Sequence, residues 1–314
     1  MNDSSSLYHY TMVHVLIAPD KFKNSLTSSS VCEALLQGLN KNTLSCTPFP
    51  LADGGEGTTD VLLKFLKGKK VSVTVHDPLF RKITTTYGLS ADNKTALIEM
   101  ASASGLHLLQ AHERSLPHTT TLGTGELMVH AIDNSASQII LGIGGSTTND
   151  GAIGAATALG FRFLNDDGKH ILPIGNELLN LRKIDTSSVH PLLKKISVTA
   201  ICDVDNPLTG PQGASYVFGP QKGASPDELD MLDQGLVHLA AVLRKTFHIN
   251  MDTLPGAGAG GGFGGGAMAF FNAQLRKGTE LVFDIAEFEK AVQKADIIIT
   301  GEGKLDHQTM SGKL

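Results

Sequence analysis

Ile139-Ile140-Leu141-Gly142-Ile143-Gly144-Gly145-Ser146-Thr147-Thr148-Asn149-Asp150-Gly151 reads as an apolar strand running into a glycine turn, then four hydroxyl or amide side chains and a carboxylate. A helix of small residues, Ala152 to Gly160, is expected to follow. Strand, turn and helix in this order are the unit of an α/β fold. A glycine turn can aim several backbone N–H groups at one anion, and a helix N-terminus adds partial positive charge there. Ser146, Thr147, Thr148 and Asn149 offer further donors, so the natural guest is a phosphate, or a carboxylate beside one. The same residue types are ordinary N-caps, so a capped tight turn without a ligand is the competing reading.

Around this stretch, composition narrows the options. Of 314 residues, 41% are hydrophobic and 18% charged, enough apolar material for a large core and too much for global disorder. The net charge of −5, with no basic run, makes nucleic acid and anionic membrane poor partners. The cysteines Cys32, Cys46 and Cys202 are far apart, which suits a reducing cytoplasm and argues against a disulfide framework. Met1 to Met12 is polar and lacks the apolar core of a signal peptide. No apolar stretch is long enough and free enough of glycine to span a bilayer.

Val13 to Ala18 reads as a buried parallel strand and Ser28 to Leu39 as a helix. A loop at Ala52 to Thr58 opens a helix from Thr59 to Leu66. Val71 to Asp77 and Ile83 to Leu89 alternate like antiparallel strands. Thr95 to Met100, Val198 to Cys202 and Asp296 to Thr300 read as strands, and Thr119 to Ile132 and Leu229 to Phe247 as helical segments. Val13 to Ala18 and Ile297 to Thr300, near the two ends of the chain, could share one parallel sheet with the middle inserted as a second domain. The expected fold is therefore α/β: a discontinuous Rossmann-like domain at 1–68 and 290–314, and an inserted α/β domain at 69–289 carrying the glycine-rich turns. The first sheet would be short of strands at Leu314, so a C-terminal piece of the fold is expected to be missing.

No Walker A motif, GxSxG elbow, HExxH or histidine metal cluster occurs. Gly256, Gly258 and Gly261 fit GxGxxG, as do Gly260, Gly262 and Gly265, but Thr253 to Pro255 is not the strand that a dinucleotide fingerprint requires. The bland alternative is a glycine hinge packed before a helix. Acidic turns are more informative: Asp20, Asp53 with Glu56, Asp150, Asp203 with Asp205, and Glu302 with Asp306 follow apolar strands or sit beside glycines. One such acid is usually a cap or turn former; five together suggest Mg²⁺ held with substrate phosphates, or a base for a hydroxyl nucleophile. Lys21, Lys23, Lys222 and Lys304 stand near these turns.

Eight ordered segments then carry a resemblance: IAPDKFK (Ile17 to Lys23), ADGGEGT (Ala52 to Thr58), GTGEL (Gly123 to Leu127), IGGSTTNDG (Ile143 to Gly151), CDVDNPL (Cys202 to Leu208), FGPQKGA (Phe218 to Ala224), PGAGAGGG (Pro255 to Gly262) and ITGEGKLDHQTMSG (Ile299 to Gly312). The chain resembles the bacterial-type glycerate kinases. The resemblance implies ATP-dependent phosphorylation of D-glycerate, at the 2-hydroxyl, with Mg²⁺, and two α/β domains with the site between them. Lys304 stands where that family commonly carries Arg, which replaces a bidentate phosphate clamp by a point charge. Family members also continue beyond Leu314.

On this reading Gly144, Gly145, Ser146, Thr147, Asn149 and Asp150 bind a substrate carboxylate or phosphate, with Asn206, Gly301, Lys304 and Asp306 completing the anion-binding set. Asp203 orients or deprotonates the glycerate hydroxyl. Lys23 and Lys222 stabilise charge on the transferred group, and Asp53, Glu56 and Glu302 hold Mg²⁺. Phosphoryl transfer asks mainly for positioning and charge neutralisation, which these residue types supply. Two rivals remain at this stage: an NAD-dependent hydroxy-acid oxidoreductase, resting on the GxGxxG matches, and a truncated ligand-binding protein without turnover.

Overall fold

The computed structural model describes residues 12–22, 25–39, 43–52 and 57–303. Its strands, in chain order, are β1 (Val13–Ile17), β2 (Leu44–Pro48), β3 (Lys69–His76), β4 (Lys82–Leu89), β5 (Thr95–Glu99), β6 (Gln138–Gly142), β7 (Arg162–Leu164), β8 (Lys183–Asp185), β9 (Ser197–Ile201), β10 (Gln274–Arg276) and β11 (Ile297–Ile299). The chain divides into two compact units, 1–53 with 282–314, and 54–281. No described helix is long and apolar enough to cross a membrane.

The first unit is built on a parallel sheet of order β11-β1-β2. The expected partnership of the chain's two ends is present: Val15 pairs with Ile297 and Ile17 with Ile299. β1 is a short apolar run and is buried toward its end, as a central parallel strand must be. β2 did not stand out in the sequence, because Ser45, Thr47 and Pro48 break up its apolar pattern; register with β1 defines it. Helix Ser28–Gly38 starts at Thr27, whose Oγ1 accepts the Ser30 N–H at 3.1 Å, and contributes Cys32, Leu35 and Leu36 to a core with Val15 and Ile17.

The second unit carries a mixed sheet of order β10-β9-β6-β5-β4-β3. β10, β9, β6 and β5 run parallel, whereas β4 is antiparallel to both of its neighbours, β5 and β3. The alternating segments expected as an antiparallel pair form β3 and β4, joined at Asp77, whose carboxylate accepts the Leu79 and Arg81 N–H groups. Helix Thr58–Phe65 buries Val61, Leu62 and Leu63 against this unit's β4 and β5. The inner unit thus begins at 54 rather than at the expected 69. The 22-residue helix Pro226–Phe247 opens with a Ser225/Glu228 capping box and buries Leu229, Leu232, Leu236, Leu239 and Leu243 at helical spacing.

The glycine-rich run packs against backbone. Ala259–Phe271 is helical except at Gly260, Gly261 and Gly262, whose φ angles are 65°, 75° and 84°. A Cβ on Gly261 would lie 1.9 Å from the Thr148 carbonyl oxygen. The run lies directly against the turn after β6, and Gly151 donates its N–H to the Gly261 carbonyl at 3.2 Å. These glycines therefore meet backbone at the positions that the oxidoreductase reading reserved for a dinucleotide, and the packed-hinge alternative is the one realised.

Strand register fixes where ligands can sit. Glu99, Gly142, Ile201 and Arg276 lie level across β5, β6, β9 and β10. The segments after those residues, including Gly144 to Ser146 and Asp203, therefore emerge along one edge, the carboxyl end of the parallel strands where open α/β sheets bind ligands.

Candidate active site

At that edge the inner unit holds a cavity of about 370 Å³. Its polar lining includes Gly144, Gly145, Ser146, Asp203, Gln221 and Lys222. Leu106, Ile143, Ile201 and Phe218 form much of its apolar wall. The glycine turn after β6, the loop after β9 and the 3₁₀ turn Pro220–Lys222, three elements far apart in sequence, meet here.

Gly145 has φ of 70°, a left-handed turn that favours glycine. The turn is pinned from behind: the Leu106 N–H donates to the Gly145 carbonyl at 3.1 Å, and the Thr147 N–H to the Ser104 carbonyl at 2.9 Å. Among the described residues, none accepts a hydrogen bond from the amides of Gly144, Gly145 or Ser146. Three successive N–H groups are thus presented at a cavity wall, the arrangement of an anion nest.

Lys222 is 5% exposed, and its ammonium donates to Ser146 Oγ and to the Thr148 carbonyl, both at 2.9 Å. Burial pushes it down from its ordinary range to about 7, opposed by attraction from Asp150. Asp150 is fully buried. Its carboxylate accepts from Thr121 N and Oγ1 at 2.8 Å, and from Ala152 N and Gly154 N at 3.2 Å. Burial nevertheless raises it to about 6, against the pull of those hydrogen bonds. The helix end that sequence reasoning offered to a ligand, Ile153–Ala158, is therefore occupied by the chain's own carboxylate.

The polar run divides accordingly. Gly144, Gly145 and Ser146 line the cavity. Thr147, Asn149 and Asp150 are buried beneath it, with Asn149 Nδ2 donating to Ser215 Oγ at 3.1 Å. The Oγ1 atoms of Thr147 and Thr148 have no hydrogen-bond partner among the described residues. Asp203 stands at the cavity with Oδ1 accepting the Gly278 N–H at 2.9 Å, which ties the ends of β9 and β10 together and fixes the carboxylate's orientation. Asn206 donates to the Gln212 carbonyl at 2.8 Å and is not part of the lining. Cys202 also lines the cavity; burial, reinforced by the charges of Asp203 and Asp205, raises its thiol, so it stays neutral.

Other expected site residues lie elsewhere. Lys23, Asp53, Glu56, Lys304 and Asp306 fall outside the described residues. Gly301 belongs to the first unit, where its carbonyl accepts the Asp20 N–H at 2.9 Å, and Glu302 follows it. Among the described residues no three His, Cys, Asp or Glu side chains come together to hold a metal. Sequence reasoning missed Gln221 and Phe218 as lining residues, whose signal was membership of the FGPQKGA segment, and it noted Gly260 only within the PGAGAGGG segment and a GxGxxG match.

An α/β enzyme with a cavity at its strand ends, lined by a glycine turn and a buried lysine, is the class these features define. The glycerate kinase family model matches residues 15–314. A glycerate kinase of Bacillus cereus is 46% identical over 301 residues, covering 95% of this chain and 79% of the relative. The glycerate 2-kinase of Escherichia coli is 42% identical over 302 residues, 96% of this chain and 79% of its own length. The crystal structure of a candidate glycerate kinase 2 from Salmonella typhimurium LT2 superposes with a TM-score of 0.92 at 43% identity, covering 96% of this chain and 82% of that one. The chain belongs to the glycerate kinase family, a family of kinases within the transferases.

Proposed function

We propose that the protein transfers the γ-phosphoryl group of ATP to the 2-hydroxyl of D-glycerate. The observation that carries this is the cavity in which Gly144 to Ser146, Lys222 and Asp203 face one space. The amides and the ammonium hold the anionic end of the acid, and the Asp203 carboxylate, oriented by the Gly278 N–H, orients the hydroxyl and takes its proton as the phosphoryl group arrives. Thr147, Asn149 and Asp150 support the turn from beneath instead of touching ligand. Lys23 keeps its role of stabilising charge on the transferred group, Gly301, Lys304 and Asp306 theirs in anion binding, and Glu302 its role toward Mg²⁺.

ATP and Mg²⁺ enter through the family likeness. Mg²⁺ bound with the nucleotide would neutralise phosphate charge. Two of its expected ligands, Asp53 and Glu56, lie outside the described residues; the third, Glu302, is described, and among the described residues no three His, Cys, Asp or Glu side chains come together around it or elsewhere to hold a metal. A cytoplasmic location belongs to the same reading and fits three unpaired cysteines. The test is ATP with D-glycerate followed by phosphorus NMR: 2-phosphoglycerate and ADP are expected, and 3-phosphoglycerate as sole product, or no transfer, would refute it.

A further inference from the structure

Lys222 is unusual among the chain's lysines. Its side chain is buried, its ammonium has three N–H donors, and two are taken, by Ser146 Oγ and the Thr148 carbonyl. The third has no partner among the described residues. Neither acceptor is charged, and no described carboxylate lies within ion-pairing distance of Nζ. Buried cations are ordinarily paired. Here the unpaired cation forms the wall of a cavity whose neighbouring wall presents three unpaired amides.

Resting on the reading given under Proposed function, we propose that Lys222 Nζ and the amides of Gly144, Gly145 and Ser146 form the carboxylate subsite, and that the substrate's carboxylate brings a proton onto Lys222 as it binds. The complement is monoanionic: one ammonium donor and a short row of amides suit the two oxygens of a carboxylate. A terminal phosphate, with more charge and three outer oxygens, would find one cation with a single donor left. The cavity walls Leu106, Ile143 and Phe218 leave little polar surface for a triphosphate.

The groups facing Lys222 allow this. Asp150, beneath it, is locked in four hydrogen bonds and favours the charged lysine without contacting it. Asp203 and Cys202 stand across the cavity after β9. Arg114 packs beside Gly223 and His107 beside Gly105, while helix Pro226–Phe247 brings Leu229 against Gly219 and keeps Glu228 on its own cap. The proton comes from solvent and stays on Nζ while the acid is bound. With burial holding the free ammonium near 7, the lysine is largely neutral at pH 8 before the acid arrives.

The experiment is isothermal titration of the full chain with D-glycerate at pH 8, in two buffers of different ionisation enthalpy. Uptake of close to one proton is expected, and the Kd should rise about tenfold per pH unit between 7.5 and 9. Lys222→Met, isosteric and uncharged, should show no uptake and bind the acid about 10- to 100-fold more weakly, the worth of a charge-assisted hydrogen bond. Should that variant fail to fold, the wild-type proton count and the Kd slope decide alone. Binding without uptake, uptake on titrating ATP but not the acid, or an unaltered Kd in the variant overturns the proposal. Phosphoglycerate formation is measured on the same preparation, so absent turnover counts against phosphorylation while the proton count judges the subsite.

Discussion

Lys222→Met should change how stability depends on pH. In the unfolded chain the lysine titrates near its ordinary 10.5; folded, burial holds it near 7. Between those values the unfolded state binds more protons, so stability rises with pH, by about 1.4 kcal/mol per unit once the folded lysine is neutral. From pH 7 to pH 9, with the folded lysine half-protonated at the start, this comes to about 2 kcal/mol. Methionine cannot titrate, so the variant should lack this rise. Its absolute stability is the sum of two opposed effects: a buried charge is relieved, but Ser146 Oγ and the Thr148 carbonyl lose a donor, costing about 1–3 kcal/mol. The slope is free of that ambiguity. Asp150, raised to about 6, contributes its own pH dependence below that value and does so in both proteins. The assay is native-state hydrogen exchange at the β6 amides, comparing variant and wild type at each pH so that intrinsic exchange cancels. Parallel profiles from pH 7 to 9 would refute the reasoning, because Lys222 would then keep its proton in the folded protein.

Asp203→Asn should lower turnover by about 10²- to 10⁴-fold, the usual worth of a general base, with circular dichroism unchanged; near-normal turnover would remove it from that role. Asp150→Ala leaves the Thr121, Ala152 and Gly154 amides and the Thr121 hydroxyl without their acceptor, and should cost about 3 kcal/mol or more in thermal unfolding. Gly261→Ala places a methyl 1.9 Å from the Thr148 oxygen at a φ of 75° and should destabilise by more than about 2 kcal/mol; Gly38→Ala, with nothing within 4 Å, should be neutral or slightly stabilising. Ser225→Ala removes half of a capping box and should cost about 1 kcal/mol in urea unfolding.

Much of the fold was legible because it is written in periodicity. β3 and β4 alternate, β1 and β11 are short apolar runs ending in polar turns, and helix Pro226–Phe247 repeats leucine at helical spacing. β2 and the antiparallel β7–β8 pair were not legible: each strand is short, and pairing with a neighbour defines it more than its own pattern does. At the site, the Ile139 to Gly151 run announced a polar glycine turn, but capping and ligand binding use the same residue types. Asp150 turned out to cap and Ser146 to line, a division that burial makes and composition does not.

Local chemistry alone therefore determined the α/β class, the glycine turn after β6 and the acidic loop after β9, since each rests on neighbouring residues and their backbone preferences. Only the tertiary structure decided that Lys222, 76 residues from Ser146, reaches that turn, and that its ammonium is buried without a carboxylate beside it. The environment of a charge depends on what folds around it, and that depends on strand register and on how the glycine-rich run packs against the turn after β6.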